Sequence, residues 1–80
     1  MTRVFRYRNF GLYIGDERGE RHHLPHAHIK ERGRLICTIN LYTLLPLQSG
    51  KHVPAELTDE LEARREEMLE IWEGLNDERE

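Results

Sequence analysis

From Ala55 to Glu73 the chain contains neither glycine nor proline, and Leu57, Leu61, Met68, Ile71, Trp72 and Leu75 recur at helical steps of three, four and seven. Such spacing collects the apolar side chains on one stripe of an α-helix of about 20 residues. Arg64 and Arg65 interrupt the stripe midway. There the helix is expected to bend, or one arginine to lie across the sheet by its aliphatic stem. Gly74 or Asn76 is the natural stop.

Before residue 40 the period changes from 3.6 to 2. Val4-Phe5-Arg6-Tyr7-Arg8 alternates, with Phe5 and Tyr7 on one side and Arg6 and Arg8 on the other. Phe10-Gly11-Leu12-Tyr13-Ile14 follows after a short turn and turns Phe10, Leu12 and Ile14 inward. The polar stretch from Gly15 to Arg21 reads as a loop, and Pro25 holds Leu24 extended. His26 to Lys30 forms a third alternating run, and Arg34 to Ile39 is the most apolar of the set. Short runs joined by turn-length links predict an antiparallel meander.

These readings give a single α+β domain over residues 1–80. The expected architecture is a four-stranded antiparallel sheet with strands near 4–8, 10–14, 26–31 and 34–40. One long C-terminal amphipathic helix, near 55–75, packs on a face. Eighty residues build only a thin core, which a partner or a homo-oligomer would reinforce. No run approaches the roughly 18 apolar residues of a membrane span, and no signal-peptide core follows Met1-Thr2-Arg3-Val4, so the cytoplasm is the expected compartment. The single Cys37 sits in an apolar run and reads as a core residue.

The charge is unevenly spread. Residues 1–35 carry +4 and residues 36–80 carry −7, within a net charge of −3. An acidic total argues against strong autonomous binding to nucleic acid, while the split fits either an anion-facing half with an acidic face suited to a basic partner, or simply a solvated acidic helix beside a mildly basic sheet. Glu62, Glu66, Glu70 and Glu73 form a ridge at helical spacing that could dock such a partner. Trp72 and Met68 read most simply as core, with an exposed partner anchor as the alternative for Trp72.

Four of the five histidines fall in His22-His23-Leu24-Pro25-His26-Ala27-His28. Strand alternation separates them: His26, His28 and Lys30 share a face, whereas His22 and His23 fall in the loop. Three readings compete. The pair, with a third histidine, could bind zinc or a similar metal, although the spacing matches no standard structural zinc site. Alternatively, His26 and His28 are base and acid on a phosphodiester such as RNA, with Arg6, Arg8, Lys30 or Tyr13 stabilising the charge. Or the histidines are structural, bonding backbone carbonyls or Asp16 and Glu17. No third alternating histidine is present, since that position is Lys30.

An aromatic-rich hairpin, then Leu24-Pro25-His26-Ala27-His28-Ile29, then Arg65-Glu66-Glu67-Met68-Leu69-Glu70-Ile71-Trp72 resembles a family of small uncharacterised bacterial proteins. That family shares a Pro-Pro-His-x-His-Val-like motif and a final helix with Leu-Leu-x-x-Trp. The resemblance maps the motif histidines onto His26 and His28 and the tryptophan onto Trp72. It implies a component of a two-gene toxin–antitoxin-type module with a cognate small protein partner and, for a toxin, a ribonuclease-like activity. Two departures stand out: the double proline is Leu24-Pro25 here, and a preceding Asp-His is His22-His23.

Overall fold

A computed structural model of the chain describes residues 2–15 and 24–76. Its sheet contains four strands: β1 (Thr2–Tyr7), β2 (Phe10–Ile14), β3 (His26–Glu31) and β4 (Arg34–Asn40). Their order in the sheet is that of the chain, and every neighbour is antiparallel. The expected meander therefore forms, with β1 shifted toward the N-terminus so that Arg8 falls in a turn.

Two-residue turns tie the outer pairs. Arg8 has φ 55° in the first, and Arg32 and Gly33 have φ 53° and 84° in the second. Two successive positive φ angles match the twist of a right-handed hairpin, and glycine takes its position at no steric cost. A backbone bond of 3.0 Å from Arg32 N–H to the Asn9 carbonyl fastens one turn to the other. Past β4, the Asn40 side chain accepts from the Tyr42 and Thr43 amides at 2.7 and 3.3 Å, and the chain doubles back. Residues 45–47 then pair with the outer edge of β4 through Asn40 N–H to the Leu45 carbonyl and Leu47 N–H to the Thr38 carbonyl. That arrangement leaves fewer unpaired backbone groups on this edge.

The single long helix is not what forms. A 3₁₀ turn (Ala55–Leu57) leads into α1 (Thr58–Ala63), and α2 (Arg65–Asn76) follows. The break is at Arg64, whose φ of −110° and ψ of 10° leave the helical region. Its guanidinium lies 4.4 Å from the Phe5 ring centroid and pairs with Glu60. An arginine thus lies over the sheet at the interruption in the apolar stripe, where one helix ends and the next begins.

Phe10, Leu12 and Ile14 of β2, Ala27 and Ile29 of β3, and Cys37 and Ile39 of β4 project to one face. Leu57, Leu61, Met68 and Trp72 close over them. Leu12, Ile14, Ala27, Ile29, Ile39, Leu57 and Met68 are all fully buried. At about 25 cal/mol per Å² of apolar surface, this burial is the principal stabilising term. Among the described residues, no helix is long and apolar enough to cross a membrane.

Candidate functional site

The opposite face of the sheet is built by the ladder register. Arg3 pairs with Tyr13, but Phe5 pairs with Leu12, so Val4 is an extra residue in β1. In a regular strand, residues three apart point to opposite faces. This bulge brings Arg3 and Arg6 onto the same one. Two cross-strand rows result: Arg6, Gly11 and Lys30 in one, and Arg3, Tyr13, His28 and Thr38 in the next. Neighbouring strands are about 4.8 Å apart, so the long arms of Arg6 and Lys30 can reach the same small anion across Gly11.

A side chain at residue 11 would compete with Tyr13 for space. A Cβ at residue 11 would stand 2.8 Å from Cε1 and 3.0 Å from the hydroxyl of Tyr13. The phenol therefore lies along its own strand over Gly11 and brings its hydroxyl to the Arg6–Lys30 row. Lys30 Nζ is 5.0 Å from the centre of that ring, within cation–π range.

Around the ring is a hollow of about 240 Å³. Its cations are Arg3, Arg6, Lys30 and Arg32, and Asn9 and Gly33 of the two turns close one end. Its lining among the described residues includes no carboxylate. None of the four cations forms an ion pair among those residues. Clustered positive charge without a counter-charge favours an anion in the hollow.

The structure brings Arg6 and Lys30 together but sends Arg8 elsewhere. Arg8 pairs with Glu56 at 3.4 Å, and its guanidinium carbon is 5.3 Å from the Tyr7 ring centre. Its backbone carbonyl accepts a 3.2 Å hydrogen bond from Arg6 Nε, which orients the Arg6 side chain. The expectation that Arg6 and Arg8 share a side fails because β1 ends at Tyr7. Arg3 and Arg32 take its place. Sequence alternation missed Arg3, since a bulge has no signature there, and it missed Arg32, which lies in a turn rather than on a strand face.

His26 and His28 are both half-buried, with ring centroids 5.4 Å apart and nearly perpendicular. His26 Nδ1 is 2.8 Å from the Leu24 carbonyl, which can only accept, so Nδ1 carries the proton. The same ring lies 4.9 Å from Trp72. His28 Nδ1 and Thr38 Oγ1 share a 3.0 Å hydrogen bond. A metal on this pair would have to take both Nε2 atoms, since each Nδ1 faces oxygen. Among the described residues, no group of three or more His, Cys, Asp or Glu is disposed to hold a metal ion. His22, His23, Asp16 and Glu17 lie outside the described residues.

Glu66 and Glu70 are exposed on α2, as the helical ridge requires, whereas Trp72 is 4% exposed and belongs to the core. An exposed Trp72 anchor is therefore replaced by a buried one, because the ring completes the layer above the sheet. Cys37 is buried as expected, and burial raises its thiol above the ordinary value while Lys51 lowers it. Compared with known proteins, the chain matches no family model, no curated protein and no solved structure.

Proposed function

We propose that the protein is an RNA-binding component of a two-gene, toxin–antitoxin-type module, with the basic face of the sheet as its RNA contact. The observation that carries this reading is the ring of Arg3, Arg6, Lys30 and Arg32 about the Tyr13 hydroxyl, with no carboxylate among the described lining. Single-stranded nucleic acid is held by positive grooves combined with aromatic side chains, and the sheet face supplies both. The net charge of −3 obscures this, because the acidic groups are concentrated in the second half of the chain.

His28 stands in the row next to the cations, directly opposite Tyr13. A phosphodiester held by Arg6 and Lys30 would have the His28 imidazole as its nearest acid–base group along β3. His26, tied to Leu24 and Trp72, fits an orienting role instead. The test is binding of a labelled single-stranded RNA to the full chain at low salt, paired with growth after induced expression. Binding and growth arrest that both weaken in Arg6→Ala and Lys30→Ala support the reading, and RNA that fails to bind at low salt removes it.

A second reading has its own observation. Tyr42, Leu45 and Leu47 are 57%, 62% and 44% exposed on one short segment, and Glu66 and Glu70 are exposed on α2. Large apolar groups close together at a surface favour a protein partner, and the glutamates suit a basic one. This reading describes a non-enzymatic interaction module. A pull-down with the cognate partner that ignores both salt and charge reversal at Glu66 and Glu70 would count against it.

A further inference from the structure

Building on the RNA reading, we infer that the hollow at the turn end of the sheet holds the terminal phosphate of an RNA strand and so recognises an end. Charge count comes first. An internal phosphodiester brings one negative charge, whereas a phosphomonoester carries about −1.5 to −2 at neutral pH. Arg3, Arg6, Lys30 and Arg32 meet at the hollow without a carboxylate among its described lining, an excess suited to the more highly charged group.

Position comes second. The Arg32 amide bonds the Asn9 carbonyl at 3.0 Å, so the two hairpin turns are joined where the hollow ends. An RNA strand laid along the face from the row of His28 and Tyr13 meets the row of Arg6 and Lys30 last, and then the turns. The hollow is where such a strand stops.

Arg32 itself is the third observation. It occupies a left-handed conformation, φ 53°, which asparagine or glycine adopts more readily than arginine. A long cation there is a conformational cost to the turn, and its guanidinium lines the hollow. The hairpin turn itself demands that angle, so what bears on the hollow is the choice of an arginine at this position. The Tyr13 hydroxyl, held over Gly11, adds a neutral donor to the phosphate oxygens.

The experiment uses one short single-stranded RNA in three forms: 5′-phosphorylated, 3′-phosphorylated, and hydroxyl at both ends. Each is titrated against the full chain by fluorescence polarisation at the same salt concentration. One phosphorylated form should bind roughly tenfold more tightly than the dihydroxyl form, the effect expected of a single added charge-assisted hydrogen bond. Inorganic phosphate should compete with that form in preference to the others. Arg32→Gly, which suits the turn and leaves the thermal melt unchanged or raised, should abolish the preference. Equal binding of all three forms, or a preference that survives Arg32→Gly, overturns the inference and leaves the RNA reading standing. Failure of every form to bind overturns both.

Discussion

The phenol of Tyr13 occupies the space that a side chain at Gly11 would fill: a Cβ there would lie 2.8 Å from the Tyr13 ring. Gly11→Ala should therefore displace the ring from the Arg6–Lys30 row. The displaced atoms are the tip of a half-buried side chain that can swing aside, so the melting temperature should change little while RNA affinity falls. Tyr13→Phe should keep the melt and lose only the hydroxyl's share of affinity. An alanine variant with unchanged affinity would show that the ring has no fixed place.

His26 and His28 should separate in mutagenesis. His26→Ala removes a bond to the Leu24 carbonyl and a contact with Trp72, the chain's single tryptophan. A loss of about 1–2 kcal/mol in urea unfolding and a change in intrinsic fluorescence are expected, with RNA affinity little altered. His28→Ala should instead reduce growth arrest or cleavage. Fluorescence identical to the parent after His26→Ala would remove the contact.

Affinity should fall steeply with salt. If the four cations of the hollow each neutralise a phosphate charge, a plot of log K against log salt should have a slope of about −3 for a single strand. Arg3→Ala or Arg6→Ala should each make that slope shallower by about 0.7. Arg8→Ala, at a residue paired with Glu56, should leave it unchanged. Equal effects of all three substitutions would mean the charge acts diffusely.

Cys37 gives a pH test. Burial, opposed by the Lys51 ammonium, holds its thiol above the ordinary value of 9.0. The native state then binds this proton more tightly than the unfolded state, so the contribution is fully present below the unfolded value and is lost as pH rises through the folded one. The melting temperature of the parent relative to Cys37→Val should decline above pH 9.0 and stay level near neutrality. The thiol should also resist alkylation near neutral pH until the chain is unfolded.

The strand pattern could be read from the sequence because alternation reports which face a residue takes. Leu12, Ile14, Ala27 and Ile29 all lie where alternation puts them. The helix was less legible. Leu57, Leu61, Met68 and Trp72 follow helical spacing across the break, so a stripe alone cannot distinguish one helix from two. At the break Arg64 lies against Phe5, a contact between residues far apart in sequence that no helical spacing reports. Lys30 and Arg6 were legible at the site. Arg3 was not, because its face depends on a bulge, and Arg8 was misplaced because β1 ends at Tyr7, one residue before alternation would end it.

The unopposed Val4 lets residue count and face disagree by one in β1. Arg3 and Arg6 are three residues apart, a spacing that in an unbroken strand sends side chains to opposite faces, and the bulge absorbs the extra residue. A chain lacking Val4 would keep every arginine and the same net charge, and Arg3, joined directly to Phe5, would still stand opposite Tyr13 in a regular ladder. Deletion of Val4 should therefore spare the basic face, an outcome that substitution scans cannot reveal. For this strand, tolerance to substitution and tolerance to changes in length are separate properties, and the loss of one residue is the change it accommodates.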